Sequence, residues 1–212
     1  MLAATSIASL LAEFYGLGSM RWFTICLLIP ATGILIVLAG LDFAVGDRRL
    51  CRGVVIGAVA GLMAAIAYDL FRLPFVYAQP WHLTAIVPSM NLFKVFPRFG
   101  AMILGQPVNQ DHYSTAAQWI GWAYHFSNGI TFGIMYVAMI GDGRRPGWSR
   151  AVAMAVGLEL GMLMSPYPQF FGIPRTFSFV LVTLSAHCIF GVAMAVMVRS
   201  ISLKWEPSDV VL

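Results

Sequence analysis

From Trp22 to Leu41 the chain runs without a single charged side chain. A helix of about 20 apolar residues reaches across roughly 30 Å of hydrocarbon. This stretch alone therefore restricts the chain to folds that can place a helix in a bilayer. Four more apolar runs follow, at 53–73, 117–140, 151–165 and 176–198. Composition agrees: only 10% of the 212 residues are charged, where a soluble domain carries about 25%. The sequence predicts an all-α, polytopic integral membrane bundle with five transmembrane helices, forming one membrane domain over 1–212.

The segments between the runs differ in character. Residues 1–20 lack a basic start and are interrupted by Glu13, which argues against a signal peptide. Leu2, Ile7, Leu10, Leu11 and Phe14 have helical spacing, which predicts an amphipathic helix at the membrane interface. The 75–116 connection is long and rich in proline and polar residues. Within it, 91–104 is apolar but too short to span, and reads as an interfacial or re-entrant helix. Trp81, His82 and the Phe-rich 93–99 run read as contacts to lipid or a partner. His82 and His112 read as surface residues.

Loop charge sets an expected orientation. Arg48, Arg49, Arg52, Arg144, Arg145, Arg150, Arg199 and Lys204 fall on one side of the five runs. Arg21, Arg72, Lys94, Arg98 and Arg175 fall on the other. Short, cation-rich loops stay in the cytoplasm, so the N-terminus is expected outside and the C-terminus inside. A bacterial inner membrane fits this pattern.

Small residues recur four apart within the runs. Gly121, Gly129 and Gly133 form one row with His125, and Gly53, Gly57, Gly61 and Ala65 lead to Asp69. Ala151 and Ala155 lead to Glu159, and His187 precedes Gly191 and Ala195. Residues four apart share a helix face, and small-residue rows let helices approach closely in lipid. Each ionisable group therefore continues a face that should meet protein. An acid-bearing run followed by a His-bearing run occurs twice, which suggests a duplicated unit. All four groups lie roughly 9–16 Å below their helix ends at 1.5 Å per residue, in the half of the membrane beneath the 75–116 connection. Tyr68, Arg72, Tyr124 and Asn128 are their candidate polar partners.

Such groups are expensive in a membrane and normally pair inside the bundle. Four functions fit. In the first, the cluster is interhelical glue, and the chain is an accessory or structural subunit of a larger membrane complex. Its partners are then the bilayer, other membrane subunits or further copies of itself. In the second, Asp69, His125, Glu159 and His187 hold a divalent metal ion, for binding or for metal-dependent catalysis. In the third, the same groups carry protons for a coupled carrier. In the fourth, His125 and His187 ligate haem b.

The formal charge of +4 is spread over short loops and does not suggest a nucleic-acid partner. Cys26, Cys51 and Cys188 have no paired spacing, which argues against a disulfide framework or a cysteine zinc site. No phosphate-binding glycine loop, zinc-protease helix or nucleophile-elbow motif occurs in the sequence.

Overall fold

The structure is a computed structural model, and it describes residues 2–141, 143–145 and 147–204. Among these residues there are helices and no strands. A 3₁₀ turn at Leu2–Ala4 leads into α1, Thr5–Phe14. Then come α2 (Met20–Val45), α3 (Arg49–Val76), α4 (Val95–Leu104) and α5 (Thr115–Ile140). The chain continues with α6 (Trp148–Met164), the single turn α7 (Tyr167–Phe170) and α8 (Phe177–Lys204).

Three of these, α2, α3 and α8, are long and apolar enough to cross a membrane. α5 has the length, but its Gln, His, Ser and Asn side chains make it less apolar. α6 has 17 residues, about 25 Å at the helical rise.

α2 is one continuous helical rod with a π-helical turn at Thr24–Leu28. Pro30 follows that turn directly. Proline has no N–H to offer the carbonyl four residues back, and a wider turn relieves the mismatch. Only 17% of the most apolar part of α2 is buried, against 39% in α3 and in α8. α2 therefore lies at the edge of the bundle, and α3 lies at its centre.

The packing order is α5, α3, α8, α6, with α4 laid against α5. The α3–α5 crossing is made by glycine on glycine. A Cβ on Gly57 would stand 2.5 Å from the Ile134 Cα, and one on Gly61 would collide with the Gly129 carbonyl. The α6–α8 crossing repeats the device: a Cβ on Gly191 would stand 2.7 Å from the Val152 Cα. α5 and α6 are not packed against each other. The four long helices therefore form an open curve, and a cleft lies between its two ends.

α1, α4 and α7 close one end of this curve. Phe171 is buried among Phe14 of α1, Phe99 of α4 and Tyr167 of α7. Arg98 donates to the Phe171 carbonyl at 2.6 Å, and Lys94 to the Gly172 carbonyl at 3.1 Å.

The amphipathic α1 expected from the sequence packs against the bundle. Ser6 and Ser9 are buried, and Ser6 donates to the side chain of Asn128 near the middle of α5. Asn128 and Tyr124 are polar groups in a long apolar helix, and α1 supplies their partners. The Phe-rich run also turns inward. Phe96 and Phe99 are buried, while Trp81 remains exposed as expected.

Candidate functional site

The row of four on α5 explains where the site forms. Gly121 faces the backbone of α4 at Phe96, while Gly129 and Gly133 face α3 at Gly61 and Gly57. His125 stands between these two close approaches and can only point into the space they enclose. There its Nε2 meets Asp69 Oδ2 at 2.8 Å. Its ring stacks on Phe96, with centroids 4.3 Å apart and planes at 28°.

Asp69 is held from its other side by Arg72, one turn further along α3, whose Nη1 donates to Oδ1 at 3.2 Å. Arg72 is itself buried, at 4% exposure. It also donates to the Leu92 carbonyl. Its guanidinium lies 4.7 Å from the Tyr68 ring and 5.0 Å from the Phe93 ring. Arginine suits this position because a planar, weakly hydrated cation tolerates aromatic faces better than an ammonium. Its Nε has no hydrogen-bond partner.

A second pair forms between α6 and α8. His187 donates from Nδ1 to the Thr183 carbonyl at 2.9 Å. A carbonyl only accepts, so this contact fixes the tautomer. Nε2 is left facing Glu159 Oε2 at 3.6 Å, an ion-pair separation.

The four groups from four helices are thus arranged two by two. Asp69 pairs with His125, and Glu159 with His187. Each acid-and-His unit of the sequence closes its own pair. Among the described residues, no three His, Cys, Asp or Glu side chains are grouped so as to hold a metal ion. The haem geometry is also poorly served, since His125 has Nε2 on Asp69 and Phe96 against its ring.

His125, Glu159 and His187 line one cavity of about 200 Å³, and Asp69 reaches it only through His125. Tyr68 connects the two pairs, with its ring 6.0 Å from that of His125 and 4.9 Å from that of His187. The remaining walls are largely aromatic and aliphatic, including Phe96, Phe132, Phe190 and Leu158. Tyr167 lines the closed end. Burial pushes its phenol up from the ordinary value, and the charge of Glu159 adds to the shift. Lys94, at the rim, is lowered by partial desolvation and by nearby Arg98.

The other candidates from the sequence are placed as follows. Tyr68 and Arg72 belong to the site. Asn128 lines the cavity, and its side chain also accepts from Ser6. Tyr124 points away from the acids and donates to the Ser6 carbonyl at 2.7 Å. His82 and His112 are exposed. Phe96, Leu92, Thr183 and Tyr167 were not among the sequence candidates. Phe96 had a signal in the aromatic run, whereas a backbone carbonyl such as that of Leu92 has none. Comparison of the chain with protein-family models, with curated proteins and with solved structures finds no match.

Proposed function

We propose that the chain is a multi-pass membrane protein that acts by binding, with α2, α3, α5, α6 and α8 as its five membrane-crossing helices. The cavity is its working part. One observation carries this reading: both imidazoles and the Glu159 carboxyl open onto a single, mainly apolar space beneath α1 and α4, with Asp69 paired to His125 behind it. Arg72 balances the charge of Asp69, and Glu159 faces the His187 imidazole. An apolar cavity with a few convergent polar groups suits a small amphiphilic molecule drawn from the lipid. In this reading the cytoplasmic side carries the arginines at 48, 49 and 52 and at 144, 145 and 150, in the two connections and the helix starts that follow them, and the cavity lies towards the opposite face.

The test is extraction of the chain with its native lipid, followed by mass spectrometry of the small molecules retained. A compound held by the natural chain and lost in Leu158→Trp, which fills the cavity, supports the reading. Identical retention by both proteins overturns it.

A second reading, an accessory subunit or homo-oligomer, is favoured by the outer face of α6. Ala153, Gly157 and Gly161 are exposed and four apart. A Cβ on Gly157 or Gly161 would meet nothing within 4 Å. Rows of this kind bring α3 and α5 together inside the same molecule, and in lipid they commonly join helices. Gly157→Leu would then change the oligomeric state in mild detergent and leave the monomer fold intact.

A further inference from the structure

The hydrogen-bonding character of the two pairs narrows what the cavity accepts. Asp69 is ion-paired with Arg72, so it acts as acceptor towards His125, whose Nε2–H donates at 2.8 Å. A neutral imidazole has one donor and one acceptor nitrogen. The Nδ1 of His125 is therefore an acceptor, and a ligand group beside it has to donate. The Glu159–His187 pair differs. At 3.6 Å the Glu159 Oε2 and the His187 Nε2 lie beyond hydrogen-bond reach of each other, so both remain open to accept from a ligand hydroxyl.

The space between the pairs has an aromatic lining, and Tyr68 touches both imidazoles. Its volume of about 200 Å³ exceeds the ~150 Å³ in which an apolar protein cavity takes up benzene. A substituted six-membered ring fits. The cleft between α5 and α6 is the route for an apolar tail. Phe132 and Met135 of α5 and Met154 and Leu158 of α6 line it, and the two helices do not pack together there.

We infer that the cavity binds a membrane-soluble hydroquinone, with one hydroxyl donating to His125 and the other meeting the Glu159–His187 pair. This rests on reading the cavity as a binding site. Competing chemistries fit less well. A phosphate headgroup only accepts and would face the acceptor nitrogen of His125 and the Glu159 carboxyl. A fatty alcohol has one hydroxyl for two pairs. A quinone presents carbonyl acceptors on both sides and would leave His125 opposite a second lone pair.

The full-length chain in lipid nanodiscs, kept anaerobic, is titrated with three probes: a decyl-substituted hydroquinone, its bis-methyl ether and the matching quinone. Saturable one-to-one binding of the hydroquinone is expected, with the ether and the quinone each at least about 10-fold weaker, the size of one or two lost hydrogen bonds. Met154→Trp touches neither pair and blocks the cleft, and it should abolish binding. His125→Asn should erase the preference over the ether; if that variant does not fold, Met154→Trp carries the test. Equal affinity for all three probes, or binding unchanged in Met154→Trp, overturns the inference.

The two proposals fail in different ways. If another extracted compound is retained and then lost in Leu158→Trp, the hydroquinone falls and the binding reading stands. If nothing is retained and no probe saturates, both fall.

Discussion

Asp69 accepts from two side chains at once, Arg72 on the same helix at 3.2 Å and His125 across the α3–α5 crossing at 2.8 Å. Asp69 and Arg72 are buried and His125 is largely covered, so each depends on the others. Breaking a buried pair from one side leaves an uncompensated charge and costs about 3–5 kcal/mol. Asp69→Asn should therefore destabilise the protein by about 3 kcal/mol, because it strands Arg72. The double variant Asp69→Asn/Arg72→Met should cost less than the two single changes together, by at least ~1 kcal/mol. Reversible unfolding in mixed micelles measures both. Simple additivity would show that the two side chains do not act as a unit.

The α3–α5 crossing tolerates no side chain at Gly61, because a Cβ there collides with the Gly129 carbonyl. Backbone cannot yield as a flexible side chain can. Gly61→Val should cost at least about 2 kcal/mol, towards the upper end of overpacking effects. It should also pull His125 away from Asp69. Gly157→Val, on the open face of α6, serves as the matched control and should change monomer stability by less than ~0.5 kcal/mol. A similar loss in both variants would point to glycine's general role in helices and not to this contact.

Much of this arrangement is legible from residue spacing. The rows ending in Asp69 and Glu159 and the rows holding His125 and His187 each continue a small-residue face, and those faces meet in the structure. Spacing gives the face of a helix but not its neighbour. That is why one four-membered cluster was as plausible in the sequence as two pairs. Pairing follows from which helices cross, and α6 packs on α8 while α3 packs on α5. α1 and α4 were harder to place. Each is short and amphipathic, and such a helix can lie on a membrane or against protein. What decides is the polar demand of Asn128, Tyr124 and Arg72, met by Ser6 and by the Leu92 carbonyl. Backbone acceptors leave no mark in a sequence.

Tyr167 gives a pH signature. Its phenol is raised above the ordinary value, first by burial and then by the charge of Glu159. When the folded pKa lies above the unfolded one, the unfolded chain loses its proton first as pH rises. The stabilisation is complete below about pH 10 and is lost above it. In that alkaline range the natural chain should lose up to about 1.4 kcal/mol per pH unit more than Tyr167→Phe. The comparison is of unfolding free energies between pH 9 and 11.5. Parallel curves for the two proteins would mean that Tyr167 ionises in the folded chain as freely as in water.

Topology is the prediction on which the membrane reading turns. α2, α3 and α8 have the length and apolarity to cross unaided. α5 carries polar side chains, and α6 is short. Both nevertheless hold one half of a buried acid–imidazole pair whose other half sits on α3 or α8. In the proposed five-span topology, a helix whose pairing group meets that of a crossing helix enters the membrane beside it, since such groups normally pair inside the bundle. Five crossings place residue 47 and residue 144 on one side, and residues 82 and 112 on the other. In a background without Cys26, Cys51 and Cys188, single cysteines at these four positions should react with a membrane-impermeant maleimide in two groups. Positions 82 and 112 should label in intact cells, and 47 and 144 only after lysis. Labelling of 82 and 144 from the same side would mean that α5 does not cross, and the cavity would then have to lie outside the bilayer.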